Sequence, residues 1–235
     1  MSIRQRITRI GRHLPTHPQW LLGVRKASHA VRTLEGTVLD VGCANRWIER
    51  SLPPNTSYIG LDYPPTGQAL YAARADVFAD AAKLPFVSPS FDAIVCLEVL
   101  EHTGEYQAAL HEFFRVLKPK GTLVLSMPFL YPIHDAPHDY QRLTEHGLRR
   151  DMAAAGFEIV RLSKSGHAIR TAGLLFNLAL VGGLYTRRKP LDYVMLLFAA
   201  VLVFVVNLAS AALSSILPDW NALGFGYEVE AIKPG

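Results

Sequence analysis

Cysteine is nearly absent from this chain: 235 residues hold two, Cys43 and Cys96. Both fall within or at the end of predicted core strands. That excludes a disulfide framework and a cysteine-built metal cluster, and the expectation is a reducing cytoplasm. Acid is absent from the first 34 residues, which carry seven Lys or Arg. The opening Met1-Ser2-Ile3-Arg4-Gln5-Arg6 lacks the apolar core of a signal peptide, so export is not expected. No repeat or low-complexity tract is visible. The triple-glycine pattern that seats a pyrophosphate is also missing. The turn at Gly42-Cys43-Ala44-Asn45-Arg46-Trp47 has one glycine, which disfavours a nicotinamide dinucleotide. The pI is about 9.1, yet the basic residues lack the interleaved aromatics of a single-strand platform, and no nucleic-acid partner is expected.

What is present is an ordered set of strands and tips. Val38-Leu39-Asp40-Val41 reads as a buried parallel strand entering the Gly42 turn. Tyr58-Ile59-Gly60-Leu61-Asp62 reads as the next strand, ending in a carboxylate. Small residues let the backbone approach a ligand, and an acid at the second strand tip takes two ribose hydroxyls. Asp40 puts a negative charge where a pyrophosphate would lie, so a cationic ligand is expected. The sulfonium and ammonium of S-adenosylmethionine fit.

Further strands are expected at Asp76–Phe86 with its loop, at Phe91–His102, and after the helix ending near Arg115–Lys118. A helix over about Thr144–Ala155, a stop at Gly156, a sixth strand at Phe157–Leu162 and a seventh at Gly226–Lys233 complete the series. Strands alternating with helices imply α/β architecture with a doubly wound, mostly parallel sheet. With these motifs in this order, the chain resembles the class I S-adenosylmethionine-dependent methyltransferases, in the type 11 group that includes ubiquinone-pathway and polysaccharide-cluster enzymes. The resemblance covers roughly residues 35–163 and the last ten. It implies a Rossmann-like seven-stranded sheet whose last strand is antiparallel. One departure is Ala44, where the family usually has glycine; alanine is small enough to keep the backbone close.

On this reading Asp40 and Gly42 form the turn under the methionine portion of the cofactor, with Cys43, Ala44 and Asn45 lining it. Asp62 takes the ribose hydroxyls and Tyr63 covers the adenine. The resemblance further implies that Asp80 faces the adenine amino group, the Ala81 backbone its ring, and Leu97 the far side. The alternative for Asp80 is a helix cap before Ala81.

The acceptor side is expected in the loop after the fifth strand, at the carboxyl edge where ligands collect. Met127 to Thr144 is dense in groups able to move protons. His134 or His138 is the candidate base, with Asp139 orienting and Arg142 fixing an anionic substrate group. The competing reading is that Asp139, Tyr140 and Arg142 lock the loop. Glu98-Val99-Leu100-Glu101-His102 could place two carboxylates and a histidine on one helix face for a divalent ion. Some metal-dependent relatives carry a similar pattern, but many relatives without metal share it, and no metal is expected here.

Between the sixth and seventh strands lie about sixty residues an ordinary methyltransferase does not need. Ala172–Tyr185 is an apolar run of roughly 21 Å as helix, and Tyr193–Leu217 is a charge-free run of roughly 37 Å, against a hydrocarbon core of about 30 Å. The linker Thr186-Arg187-Arg188-Lys189-Pro190 is basic and is expected on the cytoplasmic side. Two spans would put that linker outside, and one would strand the last strand. The pair is therefore expected to lie shallowly in the inner leaflet, or to pack on the protein or a second subunit as a homodimer. At the N-terminus Ile3, Ile7, Ile10 and Leu14 recur at helical spacing beside Arg4, Arg6, Arg9 and Arg12, which suits an anionic membrane surface.

The expected organisation is a basic helical region at 1–34, a methyltransferase domain at 35–163 plus 225–235, and an apolar insertion at 164–224. The expected function is O-methylation of a lipid-linked saccharide or glycan precursor at the cytoplasmic face of the membrane. A prenylated quinone-type acceptor and a non-catalytic cofactor-binding scaffold are the alternatives.

Overall fold

The computed structural model describes residues 11–24, 26–187 and 189–235. Its chain divides into two compact units. The larger comprises Ala27–Phe129, Ile133–Ser163 and Gly226–Gly235. Its sheet is built from β1 (Thr37–Val41), β2 (Ser57–Asp62), β3 (Val77–Phe78), β4 (Phe91–Leu97), β5 (Leu117–Pro128), β6 (Glu158–Ser165) and β7 (Gly226–Ile232). The seven strands run in the order β3-β2-β1-β4-β5-β7-β6. The pairs from β3 across to β5 are parallel, and β7 runs antiparallel to β5, Thr122 opposite Ile232 and Pro128 opposite Gly226. This is the expected Rossmann-like sheet. The third strand is shorter than its sequence suggested: only Val77 and Phe78 pair. Beyond them the chain turns at Asp80 and is held by Glu112 and Arg115. Glu112 accepts the Leu84 N–H at 2.8 Å, and Arg115 donates to the Phe86 and Leu84 carbonyls.

Side chains alternate across the pleat, so each central strand feeds two cores. Leu39, Val41, Ile94, Leu123 and Leu125 point into one. It is closed by Ala109, Leu110, Phe113 and Val116 of a helix at Tyr106–Val116, and by Leu148 and Met152 of another at Glu145–Ala154. Val38, Ala93, Val95 and Val124 belong to the other core, with Val31, Leu34 and Ile48. The helices of this unit are α1 (His29–Arg32), α2 (Pro64–Thr66), α3 (Tyr106–Val116) and α4 (Glu145–Ala154). The Thr144 hydroxyl caps α4 by accepting the Gly147 N–H at 3.1 Å. Between β1 and β2 the expected crossover is reduced to turns and one 3-10 turn at Glu49–Ser51.

The second unit comprises the N-terminal stretch to Lys26, Leu130–Pro132 and Lys164–Phe225. Its body is a helical hairpin of α5 (Ala168–Arg187) and α6 (Pro190–Ile216). At 1.5 Å per residue these are roughly 30 and 40 Å long. Asn177 donates to Asn207 at 2.8 Å, Gly173 abuts Ser210, and Val181 packs with Ala199 and Val203, so the helices run antiparallel. A Cβ at Gly173 would lie 2.3 Å from the Ser210 hydroxyl, so any larger residue there would have to turn that side chain away. The hairpin's ends are clasped. Asp219 accepts the Ala168 N–H at 2.9 Å and pairs with Lys164 at 2.7 Å, and the Phe225 N–H reaches the Ser165 carbonyl at 3.1 Å.

Ile3, Ile7, Ile10, Arg4, Arg6 and Arg9 of the predicted amphipathic helix lie outside the described residues. Among the described residues from Leu14 to Leu34 there is one 3-10 turn, Trp20–Leu22, and the one-turn helix α1. Pro15 and Pro18 remove N–H donors that a continuous helix would need. The Asn207 amide instead donates to the Pro15 and His17 carbonyls, at 2.6 and 3.0 Å.

Candidate active site

The parallel strands β1, β2 and β4 all end at one edge of the sheet, and the turns beyond them bring most of the predicted residues together. Asp40 is 3% exposed and Asp62 5%. They sit on neighbouring strands, Asp40 level with Gly60 and Val41 with Leu61. Asp40 accepts the Tyr58 hydroxyl at 2.6 Å, and burial, reinforced by that carboxylate, holds the Tyr58 phenol far above its ordinary range. The Tyr58 ring is covered by the Arg46 guanidinium at 4.5 Å.

Gly42 has φ of 74°, and a Cβ there would lie 2.3 Å from Val99 Cγ2, so only glycine fits this close turn. The Gly42 and Cys43 N–H groups both donate to the Leu61 carbonyl, at 2.8 and 3.0 Å. Ala44 also lies in the left-handed region, φ 45°, the conformation that explains a family preference for glycine at this position. Its N–H donates to Asp62 Oδ2 at 2.8 Å, while the Tyr63 N–H donates to Oδ1 at 2.9 Å. Each Asp62 oxygen keeps a second lone pair. Burial pushes the Asp62 carboxyl above its ordinary value, and the two N–H donors oppose that shift.

Arg46, φ 60°, ties this turn to the end of the next crossover through Asp76 at 2.7 Å and Glu49 at 2.9 Å. Asn45 is exposed at the rim. Asp80 is exposed and accepts the Ala82 N–H at 2.9 Å, a local turn that leaves Ala81 buried. Leu97 is half-buried at the tip of β4.

Cys43 is buried, and burial first, then the charges of Asp40 and Asp62, push its thiol up to about 12. At pH 8 its thiolate fraction is then about one in ten thousand. Cys96 is wholly buried as well. Both cysteines should resist a thiol-specific dye in the folded protein and react fully in denaturant. Rapid labelling of one thiol at pH 8 without unfolding would overturn this.

Beyond β5 the loop folds onto the end of β4. Arg142 pairs with Asp139 through two hydrogen bonds, at 2.5 and 2.7 Å, and holds that carboxyl down at about 2. The guanidinium predicted to fix an anionic substrate group is thus committed to a carboxylate of its own loop, the loop-locking alternative. Asp139 Oδ2 also accepts the His134 N–H at 2.9 Å and lies 3.3 Å from His134 Nδ1, as an orienting acid would. His138 Nδ1 lies 3.1 Å from the Tyr140 hydroxyl, and its ring meets Tyr63 edge-on at 6.5 Å. The acceptor-side loop is thereby next to the Tyr63 turn.

Glu98, Glu101 and His102 do not share a helix face. Glu98 is exposed, has φ of 58° and accepts the Ser126 hydroxyl at 2.7 Å. Glu101 and His102 belong to the 3-10 turn Leu100–His102. Glu101 is fully buried, and burial, with the charge of Glu98 second, pushes its carboxyl well above the carboxylate range. Several contributors carry no signal in sequence. Tyr58, Arg46, Gln141 and Tyr71 act through partners distant in the chain: Gln141 donates to the Leu100 and Thr103 carbonyls, and Tyr71 to Asp135.

A family model described as a methyltransferase domain matches residues 19–162. Similar curated proteins include a fatty-acid O-methyltransferase of Mycolicibacterium smegmatis, 31% identical over 139 residues, covering 53% of this chain and 48% of that one. A demethylmenaquinone methyltransferase of Deinococcus radiodurans is 34% identical over 112 residues, covering 42% of this chain and 46% of that one. This chain therefore spans about half the length of these relatives. Among solved structures, the methyltransferase bound to the Trm112 activator of Haloferax volcanii shares the fold, with TM-score 0.56, 18% identity, and coverage of 98% of this chain and 93% of that chain. With a methyltransferase domain matched over more than half its length and a seven-stranded sheet of the matching kind, the chain belongs to the methyltransferase domain family, a class I fold whose cofactor is S-adenosylmethionine.

Proposed function

We propose that this chain transfers the methyl group of S-adenosylmethionine to a hydroxyl of a membrane-borne acceptor, such as a lipid-linked saccharide or glycan precursor, at the cytoplasmic membrane face. The donor set suits the cofactor. Asp62 offers two lone pairs to ribose hydroxyls, and Asp40 sets a negative charge beneath the turn that would hold the sulfonium and ammonium, with Gly42, Cys43, Ala44 and Asn45 around it. Tyr63, Asp80, Ala81 and Leu97 surround the adenine end in this reading. S-adenosylmethionine supplies an already activated methyl group. The protein's part is to hold the acceptor oxygen in line, exclude water and remove one proton. Of the two candidate histidines we assign that proton to His138, whose ring meets Tyr63, because the His134 ring stacks edge-on against His102 at 4.8 Å.

The observation that carries the membrane acceptor is the outer face of α6. Leu197, Phe198 and Val201 are 72%, 73% and 65% exposed. Among the described residues Val194–Ile216 is the one helix long and apolar enough to cross a bilayer, and only 22% of it is buried. So much apolar surface on one helix is unusual for a protein that meets only water. A quinone-type acceptor is the second reading, favoured by the demethylmenaquinone methyltransferases among the relatives.

Incubating the purified protein with methyl-tritiated S-adenosylmethionine and host membrane extract tests this. Protein-dependent label should enter the organic phase, and mild acid hydrolysis should move it to water if a saccharide carries it. Label only in the aqueous phase before hydrolysis would overturn the membrane-borne acceptor. Measurable cofactor binding without any label would replace the enzyme by a scaffold.

A further inference from the structure

We propose that Glu101, His102 and His134 form a binding site for one divalent transition-metal ion, independent of whether the methyl-transfer reading holds. The ligand atoms of these three residues lie within 4.8 Å of one another. Two imidazoles and one carboxylate make a borderline donor set, suited to Zn²⁺, Co²⁺, Mn²⁺ or Fe²⁺ more than to Mg²⁺ or Ca²⁺.

Two further observations point to a cation. Glu101 is 0% exposed, and neither of its carboxylate oxygens has a hydrogen-bond partner. A buried carboxyl left so is costly, the more so when charged, and a ligand removes that cost. His102 Nε2 lies 3.6 Å from Glu101 Oε1. The second observation is how His102 is held. Its Nδ1 lies 2.7 Å from the His138 carbonyl, and a carbonyl only accepts, so the proton sits on Nδ1. That leaves the Nε2 lone pair turned toward Glu101, the arrangement that orients ligating histidines. The His134 ring is held at its Nδ1, which lies 3.3 Å from Asp139 Oδ2 and 3.5 Å from the Arg142 guanidinium.

The set differs from the one the sequence spacing offered. Glu98 is turned to Ser126 and drops out, while His134, more than thirty residues further along, enters when the post-β5 loop folds onto the 3-10 turn. Asp135 Oδ2, 3.9 Å from His102 Nε2, stands by as an outer partner and takes the Tyr71 hydroxyl. His134 as a ligand is not available as a base, consistent with the assignment of that role to His138.

The test uses the full chain in detergent, stripped with EDTA, and Co²⁺ as the probe. One equivalent should bind and produce visible d–d bands. His134→Ala should weaken binding at least tenfold, and Glu98→Gln should leave it within twofold. Should His134→Ala misfold, electron spin-echo spectroscopy of the Mn²⁺-loaded native protein supplies an independent reading, since coupling to two imidazole nitrogens is expected. S-adenosylhomocysteine titrations of the same samples separate loss of the metal site from loss of the cofactor site. Binding well below one equivalent, an unchanged affinity in His134→Ala, or Mn²⁺ without imidazole coupling would each overturn the site.

Discussion

Asp62→Ala should weaken S-adenosylhomocysteine binding by about 10² to 10⁴, the largest loss expected from one substitution in this protein. The carboxylate does two jobs at once. It accepts the Ala44 and Tyr63 N–H groups and so holds the turn in a conformation, φ 45° at Ala44, that an alanine adopts only when its surroundings impose it. It also presents the lone pairs proposed for the ribose hydroxyls. Hydrogen bonds to a charged group contribute about 1.5–3 kcal/mol each, so losing two from the cofactor costs about 3–6 kcal/mol. Isothermal titration gives the affinity, and thermal melting separates it from unfolding. A variant that melts like the native protein and binds within threefold of it would remove Asp62 from the cofactor site. Asp62→Asn should fall between the two, since an amide oxygen can accept one of the N–H bonds but its NH₂ faces the other.

Replacing Leu197, Phe198 and Val201 of α6 together by serine should move the full-length protein from the membrane pellet to the supernatant. An apolar side chain contributes about 1.5–3 kcal/mol when fully buried. At the exposures seen here, three of them account for about 3–6 kcal/mol of membrane affinity, or about 10² to 10⁴ in partition. The hairpin itself should survive, because its internal contacts use other residues: Val181 with Ala199 and Val203, and Asn177 with Asn207. Liposome flotation of the native and triple-serine proteins measures the difference. Native protein that stays in the supernatant, or a triple variant that still floats, would sink the membrane reading, and sedimentation of the native protein as a dimer would then assign the face to a second copy.

Much of the cofactor side is legible in one dimension because the physics there is local. A strand buried on both faces must be continuously apolar, as Val38–Val41 nearly is, and the close turn after it must begin with a residue that tolerates positive φ. Gly42 meets that need, and a Cβ there would collide with Val99. Alternation reads out β7, and the Thr144 cap marks the start of α4 to the residue. Failures cluster where a residue's partner is far along the chain. β3 shrank to two residues because beyond Phe78 the backbone bonds to Glu112 and Arg115 instead of to a strand. Gln141 likewise gives no sign of its partners, the Leu100 and Thr103 carbonyls far back in the chain.

The sequence by itself determined the α/β class, the strand order along the chain, the acids at the tips of β1 and β2, and the apolarity of the two late helices. Each of these follows from periodicity, turn chemistry or local composition. Only the tertiary structure decided which side chains the loop after β5 delivers and to whom. It gave Asp139 to Arg142, set His138 beside Tyr63, and brought His134 to Glu101 and His102. The physical reason is that a loop's path is set by hydrogen bonds to distant backbone, such as Tyr140 N–H to the Glu101 carbonyl at 2.8 Å and Gln141 to that of Thr103 at 2.9 Å, and no pattern within the loop encodes them.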